Sequence, residues 1–161
     1  MRTEKTLETP RRARAVLAWI VVLWAGFYAS FALVRPPLLD DADSVHAEVA
    51  REMLLRHDYV TLYANGIRYL EKAPLLYWSM AACLKVFGAV GLTGGRPVAR
   101  TVAVRLPLAF AVLALALVCE SLARRMFRSG RAGLYAALIL LSSFGIFIFT
   151  RITIPDGMVC L

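Results

Sequence analysis

Residues Arg124 to Arg131 read RRMFRSGR, four arginines in eight positions, with an apolar run on either side: Thr101–Ala123 before and Ala132–Thr150 after. About 20 residues suffice to cross a bilayer, so both runs predict spans. Arginine and lysine concentrate on the cytoplasmic side of membranes, which makes residues 124–131 a cytoplasmic turn. That assignment settles a more ambiguous stretch upstream. Pro74 to Val90 is also apolar, but its uninterrupted part ends at Leu84, 11 residues in, before Lys85. If it crossed the membrane, parity would put the arginine turn outside, so it reads as an interfacial helix at the outer surface.

Farther upstream, Ala15–Val34 is 20 residues without a charge. It is too long for the apolar region of a cleavable signal, and Arg35-Pro36-Pro37 follows in place of a small-residue cleavage site. Arg2, Lys5, Arg11, Arg12 and Arg14 precede it, so the N-terminus is expected in the cytoplasm. The expected layout is a basic N-terminus (1–14), a first span (15–34), a large external loop (35–100), a second span (101–123), the basic turn (124–131), a third span (132–150) and an external tail (151–161). The tail reads as the start of a further span, so the chain is expected to be the N-terminal part of a larger protein.

Composition agrees with this layout. Across 161 residues, 60% are hydrophobic and 19% charged, which is beyond a soluble domain. The net charge of +8 sits largely beside the apolar runs, where it encodes topology, and nucleic acid is excluded as a partner. Cys83, Cys119 and Cys160 show no CxxC spacing and read as packing residues. The fold class is therefore all-α and integral to the membrane, with interfacial helices on a large first external loop.

That loop holds the chemistry. Leu38–Glu48, LLDDADSVHAE, gathers three aspartates, a histidine and a glutamate. Val45, Val49 and Met53, with Ala50 and Leu54 beside them, predict a helix over Ser44–His57, and Glu52 with Arg56 forms an i,i+4 pair on it. Tyr59–Tyr63 and Ile67–Leu70 flank Ala64-Asn65-Gly66 as a short hairpin. One aspartate ahead of a helix serves as a cap worth about 0.5–2 kcal/mol. Three in four positions repel one another, which leaves a general base or an oxygen-ligated divalent cation open as further roles. His46 and His57 stand about 16 Å apart along a helix and cannot share an ion.

The string LDDADSVHAEVAREML, followed by YVTLYANGIRYLEKAPLLYW, resembles the first external loop of the polyprenyl-phosphate-sugar glycosyltransferases. These include lipid A aminoarabinose transferase and the protein O-mannosyltransferases, and their fold is the multispanning GT-C class. The likeness is close from Leu38 to Trp78 and looser through Ala99–Pro107, Leu122–Phe127 and Arg151–Asp156. It implies transfer of a sugar from a polyprenyl-phosphate donor to a lipid, protein or glycan acceptor at the external face of the inner (plasma) membrane, with inversion at the anomeric carbon.

The resemblance also implies roles. The family's acidic pair before the surface helix falls on Ala42 and Asp43, so the base is Asp41, if the chain is shifted by one residue, or Asp43, with Asp41 the first choice. Glu71 and Lys72 match the Glu-Lys that meets the donor, although Ala73 replaces the family's first proline. Tyr69, Arg105, Arg151 and Asp156 complete the implied substrate-binding set. Plainer readings stand beside these: a surface pair for Glu71 and Lys72, snorkelling for Arg105, an interfacial anchor for Arg151. A divalent metal stays open as a cofactor. The rival functions are a non-catalytic polyprenyl-phosphate-binding membrane module, an inactive fragment, or a piece of a transporter.

Overall fold

The computed structural model describes residues 10–34, 41–89 and 97–151. The chain enters through α1 (Pro10–Trp24), passes through one π-helical turn (Ala25–Ala29) and continues as α2 (Ser30–Val34). It then forms α3 (Asp41–Arg56), a two-stranded hairpin of β1 (Tyr63–Ala64) and β2 (Ile67–Arg68), and α4 (Leu75–Ala89). The long α5 (Pro97–Phe127) leads into α6 (Gly130–Ser142) and the short α7 (Phe144–Phe149). Among the described residues, two continuous helices are long and apolar enough to cross a membrane, Arg14–Val34 and Arg100–Phe127.

α1, α5 and α6 pack around Ile20, Trp24, Tyr28, Ala109, Val112, Ala116, Ala137 and Leu141. Two polar tips lock this core. Trp24 Nε1 donates to the carbonyl of Ala109 at 2.6 Å and Tyr28 Oη to that of Leu141 at 2.8 Å. The π-helical turn begins directly after Trp24 and contains Tyr28, shifting the register between the two donors. Trp19, Val22, Val118, Leu122, Tyr135 and Ile139 point outward from the same helices. Such apolar outer faces suit hydrocarbon and would be a liability in water.

α5 and α6 meet closely because Gly133 has no side chain: a Cβ there would stand 2.8 Å from the Glu120 carbonyl. The turn between them is tighter than the arginine segment suggests, since Arg131 already belongs to α6 and Arg128 takes a left-handed φ of 49°. The stretch expected as one span, Ala132–Thr150, is broken at Ser143, whose ψ of 122° is extended. Ser142, Ser143 and Gly145 explain the interruption, since serine competes for backbone hydrogen bonds and glycine is a poor helix former.

The segment between the two long helices folds as a cap on the first half of α5. α3 and α4 bury Val49, Met53, Leu62, Tyr77 and Ala81 on one side, and Ala50, Leu76 and Met80 against Val104 on the other. The hairpin is shorter than its sequence implies, pairing only Tyr63 with Arg68 and Ala64 with Ile67. Its turn is one residue shorter than the expected Ala64-Asn65-Gly66, because Ala64 pairs with Ile67: Asn65 and Gly66 both have positive φ, 53° and 81°, the signature of a two-residue type I′ turn. Glu52 secures it by accepting the Gly66 N–H at 2.8 Å through Oε1 and the Arg56 Nε–H at 2.9 Å through Oε2. Arg56 in turn lies 4.3 Å from the centre of the Tyr63 ring.

Candidate active site

α3 begins at Asp41, three residues ahead of the expected start at Ser44, so Asp41 and Asp43 lie in its first turn. Asp43 and His46, one turn apart, are both buried. The Asp43 carboxylate accepts a hydrogen bond from Arg105 Nη2 at 3.1 Å, and the side chains are only 4% and 7% exposed. Arg105 therefore does not snorkel to the surface. It extends from α5 beneath α3 because a guanidinium without a carboxylate would be expensive at that depth.

Two cations of this site gather on Phe31. The Arg105 guanidinium lies 5.6 Å from its ring centre, and that of Arg151 lies 3.7 Å from the same ring. Arg151 is held on its other side by Phe147 at 4.1 Å, and its Nη2 donates to the Phe27 carbonyl at 3.0 Å. Aromatic faces attract guanidinium groups, so Phe31 offsets part of the repulsion between two arginines. Phe27, Tyr28, Phe31, Arg105, Thr150 and Arg151 line a narrow slot between α2, α5 and the chain beyond α7.

A second polar cluster adjoins the first along α3. Tyr77 Oη and His46 Nδ1 are 2.9 Å apart and share a hydrogen bond. Tyr69 stands edge-on to both, with ring centres 6.2 Å from those of His46 and Tyr77. Burial pushes the Tyr77 phenol well above its usual range, with further contributions from Tyr69 and the Glu71 carboxylate. Tyr77 is not singled out by the sequence, where Pro74–Val90 reads as an interfacial helix. The signal was the spacing: Tyr77 falls on the same α4 face as Met80 and Ala81, which face the core.

The structure thus brings Asp43, Arg105 and Arg151 together, with Tyr69 in the neighbouring cluster. Glu71 is exposed and Lys72 half-buried on the segment leading into α4. Asp156 lies outside the described residues, as does the Asp41 side chain. Among the described residues, no group of three His, Cys, Asp or Glu side chains converges as a metal site.

Fold and site together define a mostly helical chain of membrane character, capped by a compact segment that buries a carboxylate–guanidinium pair. Its sequence is 32% identical over 147 residues to the undecaprenyl phosphate-alpha-4-amino-4-deoxy-L-arabinose arabinosyl transferase of Serratia proteamaculans, covering 89% of this chain and 24% of that one. It is 28% identical over 150 residues to the second such transferase of Proteus mirabilis, covering 93% and 25%. The Pseudomonas aeruginosa enzyme of the same name is 39% identical over 101 residues, covering 63% and 16%. The chain spans about a quarter of the length of the first two relatives. These names correspond to the aminoarabinose branch of the resemblance and not to its protein O-mannosyltransferase branch. No family model matches the chain, and no solved structure matches it.

Proposed function

We propose that this chain forms part of a GT-C glycosyltransferase that moves a sugar from a polyprenyl-phosphate donor to a lipid, protein or glycan acceptor at the external face of the inner membrane. The likeness to aminoarabinose transferases over 89% of the chain supports the donor class and favours 4-amino-4-deoxy-L-arabinose as the sugar. The observation that carries the reading is the buried Asp43–Arg105 pair beside Arg151, on the segment expected to face outward. A carboxylate and two guanidiniums at the junction of cap and spans match a reaction in which a proton is removed while a phosphate departs.

In this reading a loop aspartate removes the proton from the acceptor nucleophile, which forms its new bond to the anomeric carbon as the bond from that carbon to the phosphate oxygen breaks. The proton goes to the carboxylate and the bonding pair leaves with polyprenyl phosphate. A single displacement inverts the anomeric centre. Asp43 is the aspartate whose position is supported by a partner, because Arg105 orients it. Asp41, two residues nearer the helix start, is the alternative base. Arg105 and Arg151 stabilise the charge gathering on the leaving phosphate, the kind of preorganised electrostatics that dominates many transfer reactions. Lys72 supports the same phosphate from the cap, Glu71 and Tyr69 border the sugar, and Asp156 completes the set.

The test is release of polyprenyl phosphate by the protein encoded in the full reading frame, comparing wild type with Asp41→Asn and Asp43→Asn. Loss of turnover in one variant identifies the base. Unchanged turnover in both rejects a loop aspartate as base. Donor binding without any wild-type turnover favours the non-catalytic module instead.

A further inference from the structure

A groove of about 460 Å³ opens between α3, α4 and α5, within the usual size of small-ligand sites. Its α3 wall is formed by Glu48, Arg51, Leu54 and Leu55, which follow one another at helical spacing. At 100° per residue this face is centred about a third of a turn around α3 from Asp43 and His46, so the groove opens on a different face of the helix from the buried ion pair. Leu84 of α4 and Arg100 of α5 line the opposite side.

The lining of the groove has two parts of different character. One is apolar: Leu55 is 63% exposed and Leu84 half-buried. The other carries Arg51 and Arg100 against a single carboxylate, leaving one net positive charge. Glu48 accepts from Arg51 Nε at 2.8 Å and Nη2 at 2.6 Å, which occupies two of the five guanidinium N–H groups and fixes the side chain's direction. The same contact holds the Glu48 carboxyl below its usual range, so the pair stays charged. A preoriented guanidinium with donors to spare, a second arginine opposite and an adjoining apolar channel ask for a phosphate joined to a hydrocarbon chain.

We propose that this groove seats an anionic phospholipid, its phosphate between Arg51 and Arg100 and one acyl chain along Leu54, Leu55 and Leu84. The lipid would fasten the cap to the outer leaflet at a point distinct from the proposed transfer site. The experiment is native mass spectrometry of the purified chain in detergent, with equal amounts of phosphatidylglycerol and phosphatidylcholine carrying the same acyl chains. Retention should favour phosphatidylglycerol roughly tenfold, because both lipids offer the same phosphate but only phosphatidylcholine brings a cation against the groove's net positive charge. Arg51→Gln with Arg100→Gln should abolish that preference, and Leu55→Asp should reduce retention of both lipids, with helical circular dichroism unchanged. Equal retention of the two lipids by the wild type, or an undiminished preference in the double arginine variant, overturns the proposal. Displacement of phosphatidylglycerol by undecaprenyl phosphate also overturns it, because the groove would then belong to the donor.

Discussion

Replacing Asp43 with asparagine removes one charge of a buried pair while nearly preserving shape. With its nitrogen and oxygen 3.1 Å apart, the pair is worth about 5 kcal/mol of attraction at an effective dielectric of about 20. Much of that offsets the desolvation of the two groups, but the variant leaves Arg105 charged and buried, and breaking such pairs one-sidedly costs about 3–5 kcal/mol. The Phe31 ring stays beneath the guanidinium and asparagine keeps an acceptor oxygen, so Asp43→Asn should lie near the lower end, about 3 kcal/mol. Arg105→Met should cost a similar amount. The double variant should fall well short of the combined losses, because the second substitution removes the orphaned charge left by the first. Unfolding in mixed micelles with increasing sodium dodecyl sulfate, followed by circular dichroism, measures all three. Additive losses, or a loss below about 0.5 kcal/mol for Asp43→Asn, would refute the placement of this pair in the interior.

Gly133→Ala should destabilise the α5–α6 contact by about 1–3 kcal/mol, since the new methyl would meet the Glu120 carbonyl at 2.8 Å. Gly26→Ala, with nothing within 4 Å of the added carbon, should be neutral or stabilising in the same unfolding assay. The raised Tyr77 phenol gives an alkaline signature. The unfolded state ionises first, so its contribution is complete below the ordinary tyrosine value of about 10 and is lost as pH rises above it. Tyr77→Phe should flatten that alkaline fall in thermal midpoint, and an unchanged profile would exclude Tyr77 as its source. The Cys83 thiol, raised by burial, should react slowly with maleimide at neutral pH and rapidly after denaturation, as followed by mass shift. Single cysteines introduced at Asn65 and Ser129, with the native cysteines replaced, should be labelled by an impermeant reagent from opposite sides of the membrane. Labelling of both from one side would remove the basis for an external cap.

Much of the local structure was legible because it follows from periodicity and charge over short distances. The helical run after Arg14 and the turn in the arginine segment needed only a count of apolar residues and of the charges that interrupt them. Asn65-Gly66 declared its turn because positive φ at two adjacent positions suits few other pairs. Glu52 with Arg56 was visible as an i,i+4 pair, although the Gly66 N–H that Glu52 also accepts was not. The start of α3 falls three residues before its expected place and the break at Ser143 has no counterpart in the expected span, because helix ends are decided by weak competition between local bonds.

What the sequence determined by itself was the kind of protein: a mostly helical, membrane-suited chain with a polar first loop. That information is written in composition and in spacings of two to four residues. Only the tertiary structure decided which charges meet. Asp43 and Arg105 are 62 positions apart and Arg151 reaches Phe31 across another large separation, so no periodic pattern connects them. In sequence, Arg105 fits snorkelling to water as well as it fits a place at the donor phosphate. It is instead drawn inward, because α4 packs against both α3 and α5 and so brings the Asp43 carboxylate within reach, and in a dry interior two opposite charges are tolerable only together.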